Sequence, residues 1–216
     1  MRTSRLEAFS DGVLAIIITI MVLELKVPHG VSLHDLAAVA PVFLSYVMSF
    51  IYISIYWNNH HHFLHLVRRV DGLMLWANLH LLFWLSLVPF TTGWMGENDF
   101  APVPTALYGV SLLMPAFAWQ GLQYAIIRGQ GPESALAQAI GRDLKGKLSP
   151  LLYGLGILFA FVDTRIAGTL YLLVALLWLV PDRRIERVFR RGRPAAASRP
   201  GGGALSPGWA PRYLRS

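Results

Sequence analysis

Long apolar runs, with polar and charged residues held between them, divide the chain up to about Val180. The runs predict helices from about Leu6 to Leu25, Asp35 to Trp57, Gly72 to Thr92, Thr105 to Ile127, Leu148 to Val162 and Ile166 to Val180. Pro41 stands near the start of the second and Pro89 near the end of the third. Pro115 lies in the middle of the fourth, where a kink is expected because proline removes one helical hydrogen bond and crowds the preceding turn. A bilayer core takes roughly 20 apolar residues per spanning helix. The first four runs meet that length, and the last two are short, as in a tight hairpin or a locally thinned bilayer. Lipid tolerates only structures that satisfy their own backbone hydrogen bonds. The fold expected is therefore all-α: an integral membrane bundle of six transmembrane helices.

Composition supports this reading and removes several others. Apolar residues make up 55% of the chain and charged residues only 14%, against about 25% charged in a soluble protein. There is no cysteine, which excludes disulfides, thiolate metal sites and cysteine nucleophiles. The net charge of +7 invites a nucleic-acid reading, but its placement argues for topology instead. With the N-terminus inside, Arg2, Arg5, Arg68, Arg69, Arg128, Arg142, Lys145, Lys147 and every arginine from Arg183 onward fall on the cytoplasmic side. Only Lys26 and Arg165 of the 19 basic residues fall outside. That asymmetry follows the positive-inside rule and requires an even number of spans with both termini cytoplasmic. No cleavable leader is expected, since the first run carries Glu24 and lacks a small-residue cleavage site. Residues 1–191 form the expected transmembrane domain. Residues 192–216, rich in Gly, Pro, Ala and Arg, form a basic tail with too little apolar surface to fold.

The first run carries the most chemistry: Arg5, then Phe9-Ser10-Asp11-Gly12, then an apolar stretch with Ile16, Thr19, Ile20, Leu23 and Glu24. At 100° per residue, Gly12, Ile16, Thr19, Ile20 and Leu23 share one face, and Ser10 and Asp11 point away from it. Polar groups at the edge of a span need partners, so Ser10 and Asp11 are expected to bond to neighbouring helices. Arg5 fits equally a cytoplasmic interface anchor and a partner for Asp11. The apolar stripe has three readings that periodicity does not separate: lipid contact, core packing, or the lining of a narrow pore.

The Arg5-x-x-x-Phe9-Ser10-Asp11 pattern, followed by Gly-Val-x-Ala-Ile and Thr19, resembles the signature of the transmembrane protein 175 family, potassium channels of bacteria, archaea and animal lysosomes. Tyr56-Trp57-x-x-His60-His61, and Asn78 with Pro89-Phe90-x-Thr92, are similar to the family's second and third helices. The resemblance implies a homotetramer in the cell membrane, with the first helix of each subunit lining a central pore. It implies Ile16 as the main hydrophobic constriction, Ile20 and Leu23 as further rings, and Thr19 as a hydroxyl for a partly dehydrated ion. It also implies that Ser10 and Asp11 tie the first helix to the next two, with Trp57, His61 and Asn78 as partners. The permeant ion would be K⁺, with other monovalent cations. No carbonyl-lined Thr-Val-Gly-Tyr-Gly filter is present in the sequence, so side chains rather than backbone oxygens would select.

His60, His61, His62 and His65 cluster at the end of the second run. His61 and His65 have the i, i+4 spacing a metal uses, but only His80 lies in another helix. Too few ligands are therefore in view, and no metal or cofactor is expected. Trp57, Trp76, Trp84, Trp94, Trp119 and Trp178 mostly fall near span ends, as interfacial belts do. Gly109, Gly121, Gly154, Gly156 and Gly168 permit close helix contact. A secondary transporter or small-solute carrier is the main alternative; it would carry ionisable groups mid-membrane and an internal repeat, which this chain lacks. A membrane-embedded enzyme is a second alternative, but there is no Gly-x-Ser-x-Gly elbow and no carboxylate pair within a span.

Overall fold

The computed structural model describes residues 3–65, 67, 69–131, 133, 134, 137 and 144–179. Arg2, Arg68, Arg142, Val180, the arginines from Arg183 onward and the tail 192–216 lie outside the described residues. Among the described residues there are eight helices and no strand: α1 (Thr3–Leu23), α2 (Leu33–Ala38), α3 (Ala40–His65), α4 (Gly72–Ser86), α5 (Val88–Glu97), α6 (Pro102–Gln130), α7 (Leu144–Phe159) and α8 (Thr164–Leu179).

Four stretches are long and apolar enough to cross a membrane: Thr3–Leu23, Ala40–His65, Gly72–Glu97 and Pro102–Gln130. The second differs from the run expected from Asp35 to Trp57. Asp35 belongs to the short α2, closed at its start by a capping box in which Ser32 and Asp35 satisfy each other's backbone N–H groups. The Ser32 hydroxyl and then its N–H donate to the Asp35 carboxylate and hold its pKa below the ordinary range. The chain breaks at Val39, and α3 then continues eight residues past Trp57, so the histidine cluster is helical. The third stretch also extends beyond expectation, to Glu97, and it is divided at Leu87. Pro89 accounts for the division. It has no N–H to give to the Leu85 carbonyl, and Leu87 N–H turns back to Trp84 O at 3.2 Å. By contrast, α6 continues helical through Pro115.

Two apolar clusters organise the bundle. In one, Leu6, Leu14, Ile17 and Met21 of α1 pack with α3, α4 and the second half of α6. In the other, α7 and α8 pack on α3 and the first half of α6 around Tyr52, Tyr108, Tyr153 and Tyr171. Helices α7 and α8, 16 residues each, form a hairpin whose turn is closed by Asp163 N–H to Phe159 O at 2.8 Å. Tyr171 fastens this hairpin to the bundle. Its carbonyl accepts from the Tyr52 hydroxyl, and its own hydroxyl donates to Thr105 O at 3.3 Å. Gly109 and Gly156 leave room for the Tyr171 side chain, whereas Gly121, Gly154 and Gly168 face open space. Close helix contact therefore explains two of these five glycines within one chain.

Gly96 marks another close approach, of α5 to α3: an added Cβ would lie 2.8 Å from Val42 Cα and 2.5 Å from Ser45 Oγ. Backbone cannot rotate aside as a side chain tip can, so Gly96→Ala is expected to destabilise the fold by about 1–3 kcal/mol. A clearly lower thermal midpoint of the detergent-solubilised protein would show this; an unchanged midpoint would refute the contact.

Candidate functional site

Helix α1 has two unlike faces. Leu6, Ser10, Leu14, Ile17 and Met21, at spacings of three and four, are buried against the bundle. The opposite side carries Phe9, Ile16, Ile20 and Leu23, exposed by 51%, 58%, 42% and 81%, with Gly12 and Thr19 also exposed. The Ile16–Leu23 stripe is therefore not core packing, which leaves lipid or a pore. The Thr19 hydroxyl donates to Ile16 O at 2.8 Å, so its hydrogen is spent within the helix and its oxygen is left to face outward as an acceptor.

The inward face is locked by a chain of hydrogen bonds through three helices. Ser10 Oγ donates to Leu6 O at 2.8 Å and accepts from Asn78 Nδ2 of α4 at 3.0 Å. Asn78 Oδ1 lies 2.7 Å from His60 Nε2 of α3. With the Asn78 amide nitrogen committed to Ser10, its oxygen must accept, so His60 carries its proton on Nε2. Ser10, Asn78 and His60 are each almost wholly buried. The rings of Trp119 and Phe63 pack beside them, Trp119 6.4 Å from His60 and 4.9 Å from Phe63 between ring centroids and tilted to both.

The sequence-predicted partners are thus only partly brought together. Asn78 meets Ser10. His61 does not; it turns to α1 on another side, where its Nδ1 lies 2.9 Å from Glu7 Oε1. Trp57 stacks on His61, with ring centroids 6.2 Å apart, and does not reach the motif's serine. The histidine in the buried chain is His60, one residue before the one expected. Asp11 is half-buried, and its Oδ1 is shut away from solvent with no hydrogen-bond partner in the single chain. Arg5 is exposed. Glu7 is the residue that reasoning from sequence passed over; His60 was named within the histidine cluster but not as the partner of Asn78. The available signal for Glu7 was its position one turn before Asp11 on a helix that must meet α3.

Asn78→Ala would remove both of its bonds and leave a buried Ser10 acceptor and a buried His60 donor unsatisfied. A loss of roughly 1–3 kcal/mol is expected, read as a lower thermal midpoint. A midpoint equal to that of the wild type would mean that the chain does not hold α1.

The family model described as Endosomal/lysosomal potassium channel TMEM175 matches residues 5–89, the stretch that holds the motif, His60 and Asn78. A potassium channel of Chryseobacterium sp. (strain P1-3) is 56% identical over 187 residues, covering 87% of this chain and 97% of that protein. A potassium channel of Streptomyces collinus (strain DSM 40733 / Tue 365) is 34% identical over 185 residues, covering 81% and 90%. Among solved structures, the crystal structure of a lysosomal potassium-selective channel TMEM175 homolog from Chamaesiphon Minutus superposes with a TM-score of 0.73 at 29% identity, covering 84% of this chain and 97% of that one. The family and these relatives are ion channels, not enzymes. On that identity and coverage, this membrane protein belongs to the TMEM175 family of potassium channels.

Proposed function

We propose that the chain conducts K⁺ passively across the cell membrane as a homotetramer, with α1 of each subunit at the central axis. Ile16 forms the main constriction, Ile20 and Leu23 form rings beyond it, and Thr19 offers a hydroxyl oxygen to a partly dehydrated ion. The observation that carries this reading is the two-faced α1. Leu14, Ile17 and Met21 are exposed by at most 3%, while the Ile16–Leu23 stripe stands open on the single chain. A lipid-facing stripe would share that exposure, but two further features favour assembly. The Asp11 Oδ1 atom lacks a donor within its own chain, and a buried unsatisfied oxygen costs about 1–3 kcal/mol unless a neighbour supplies one. Beside the stripe, an open groove of about 590 Å³ runs between Ile16, Ile20 and Glu24 on one side and Pro89, Phe90 and Trp94 on the other, and in this reading a second copy occupies it.

The proposed constriction sets its own selectivity. Four isoleucines offer no oxygen in place of hydration water, so an ion passes with much of its shell retained. K⁺ releases water more readily than Na⁺ and is favoured for that reason. Glu24, exposed at the far end of the stripe, would draw cations to the mouth. The basic residues Arg5, Arg69, Arg128, Lys145 and Lys147 support six spans with both ends cytoplasmic, α7 and α8 being the short pair. At 16 residues each, these two are about 24 Å long and would cross with little tilt.

Flux into proteoliposomes tests the reading: a channel follows the K⁺ gradient without saturating as a carrier does. Saturable transport coupled to a second solute would replace it with the carrier alternative. Ile16→Ala is expected to widen the ring and bring the K⁺/Na⁺ permeability ratio down toward one in bilayer recordings; an unaltered ratio and conductance would take Ile16 out of the role. Asp11→Ala is expected to reduce the tetramer fraction by size-exclusion light scattering more than it alters ion preference. Intact tetramers with changed selectivity would instead place Asp11 in the pore.

A further inference from the structure

A second convergence of side chains between α1 and α3 takes no part in the Ser10–Asn78–His60 chain. Glu7, His61 and His65 bring one carboxylate oxygen and two imidazole nitrogens within 4.8 Å of one another. Glu7 Oε1 is 2.9 Å from His61 Nδ1 and 3.6 Å from His65 Nε2, and the two histidine Nε2 atoms face each other at 3.1 Å. Two imidazole nitrogens at that distance share one proton, since a proton on each would set like dipoles or charges against each other. An ion in place of the shared proton satisfies both lone pairs.

We propose that Glu7, His61 and His65 form a transition-metal site of the Zn²⁺ class that fastens the first turns of α1 to the last turn of α3. Donors around a tetrahedral ion with bonds of 2.0–2.1 Å stand roughly 3.3 Å apart. With His61 giving its Nε2, the separations of 3.1 Å to His65 Nε2 and 3.6 Å from His65 Nε2 to Glu7 Oε1 lie on either side of that figure. The 2.9 Å contact of Glu7 is with the other ring nitrogen, His61 Nδ1, which would not itself bind the ion. His61 and His65 come from one helical face one turn apart, and Glu7 comes from a second helix, so the ion would bridge elements rather than decorate one. Two imidazoles with one carboxylate suit Zn²⁺, Cu²⁺ or Ni²⁺, while Mg²⁺ and Ca²⁺ prefer oxygen donors alone. The side chains of His61, His65 and Glu7 are exposed by 39%, 48% and 20%, which gives an ion a path in and leaves a fourth position for water. Trp57 stacked on His61 limits the freedom of that ring.

The test uses the full chain, purified in detergent and stripped with a chelator, and it requires no flux measurement. Isothermal titration with Zn²⁺ is expected to show one tight site per chain and a rise in thermal midpoint as the ion binds the folded form. Mg²⁺ should do neither. His61→Ala/His65→Ala is expected to lose that site, and Glu7→Gln to weaken it by at least about tenfold. If the double variant fails to elute as the wild-type oligomer, the exposed His65→Gln alone serves, with the same loss expected. Wild-type protein that takes up no Zn²⁺, or histidine variants that bind as many ions as tightly as the wild type, would overturn the assignment.

Discussion

The hydrogen bonds from Ser10 through Asn78 to His60 fix which side of α1 faces inward, and most of what the protein can do follows from that choice. A helix as apolar as α1 has no strong preference for one face, because lipid and protein interior are nearly equivalent surroundings for Leu and Ile. One buried serine breaks the symmetry. Turning Ser10 toward lipid would leave the buried Asn78 amide N–H of α4 without its acceptor and cut α1 off from the bond that runs on to His60 of α3. Once Ser10 is inward, Leu14, Ile17 and Met21 follow it at helical spacing, and Ile16, Ile20 and Leu23 are carried to the other side.

The same division of labour recurs at the far side of the bundle. Helices α7 and α8 have little length and few polar residues, and Tyr171 supplies what their apolar surface does not. It bonds through its carbonyl to Tyr52 and through its hydroxyl to the backbone at Thr105, in a slot that Gly109 and Gly156 leave open. In both halves, van der Waals packing holds the helices close, and a small number of buried polar groups decide their rotation and register. That is the physics expected where no water is available to compete for hydrogen bonds.

Much of the helical layout was legible in the sequence, because an apolar run of spanning length has few other readings. The boundaries that shifted have local causes. Asp35 reads as part of the second run by hydropathy, but with Ser32 it closes a separate turn. Pro89 reads as an end because proline usually ends a helix, whereas here α5 restarts around it and runs to Glu97. The site was legible to the residue for Ser10 and Asn78, but only to the level of the element on α3. Three consecutive histidines point in directions 100° apart, so only one meets Asn78, and with Asn58, Asn59, His61, His62 and His65 around it the last turns of α3 are polar on several sides and do not single it out. The rotation of α3 is set by its packing against α1 and α5, with Trp119 of α6 reaching Phe63 and lying near His60, and that information lies in residues distant along the chain. Glu7 was missed for a related reason: its partners lie more than 50 positions away, and no spacing rule joins them.

Helix α1 is thus held at three levels by three kinds of bond. Near its base, Glu7 meets His61 and His65 on a partly exposed surface, where the contacts are open to exchange with solvent. One turn further in, Ser10 meets Asn78 in a neutral, fully buried contact. Beyond that, Leu14, Ile17 and Met21 hold it by apolar packing. Exposed polar contacts are screened by water and salt and are individually weak, and buried neutral ones are not. The end of α1 nearest the cytoplasm in the proposed topology is therefore the part that conditions can alter, and the Ser10 contact is the fulcrum that separates it from the Ile16 stripe.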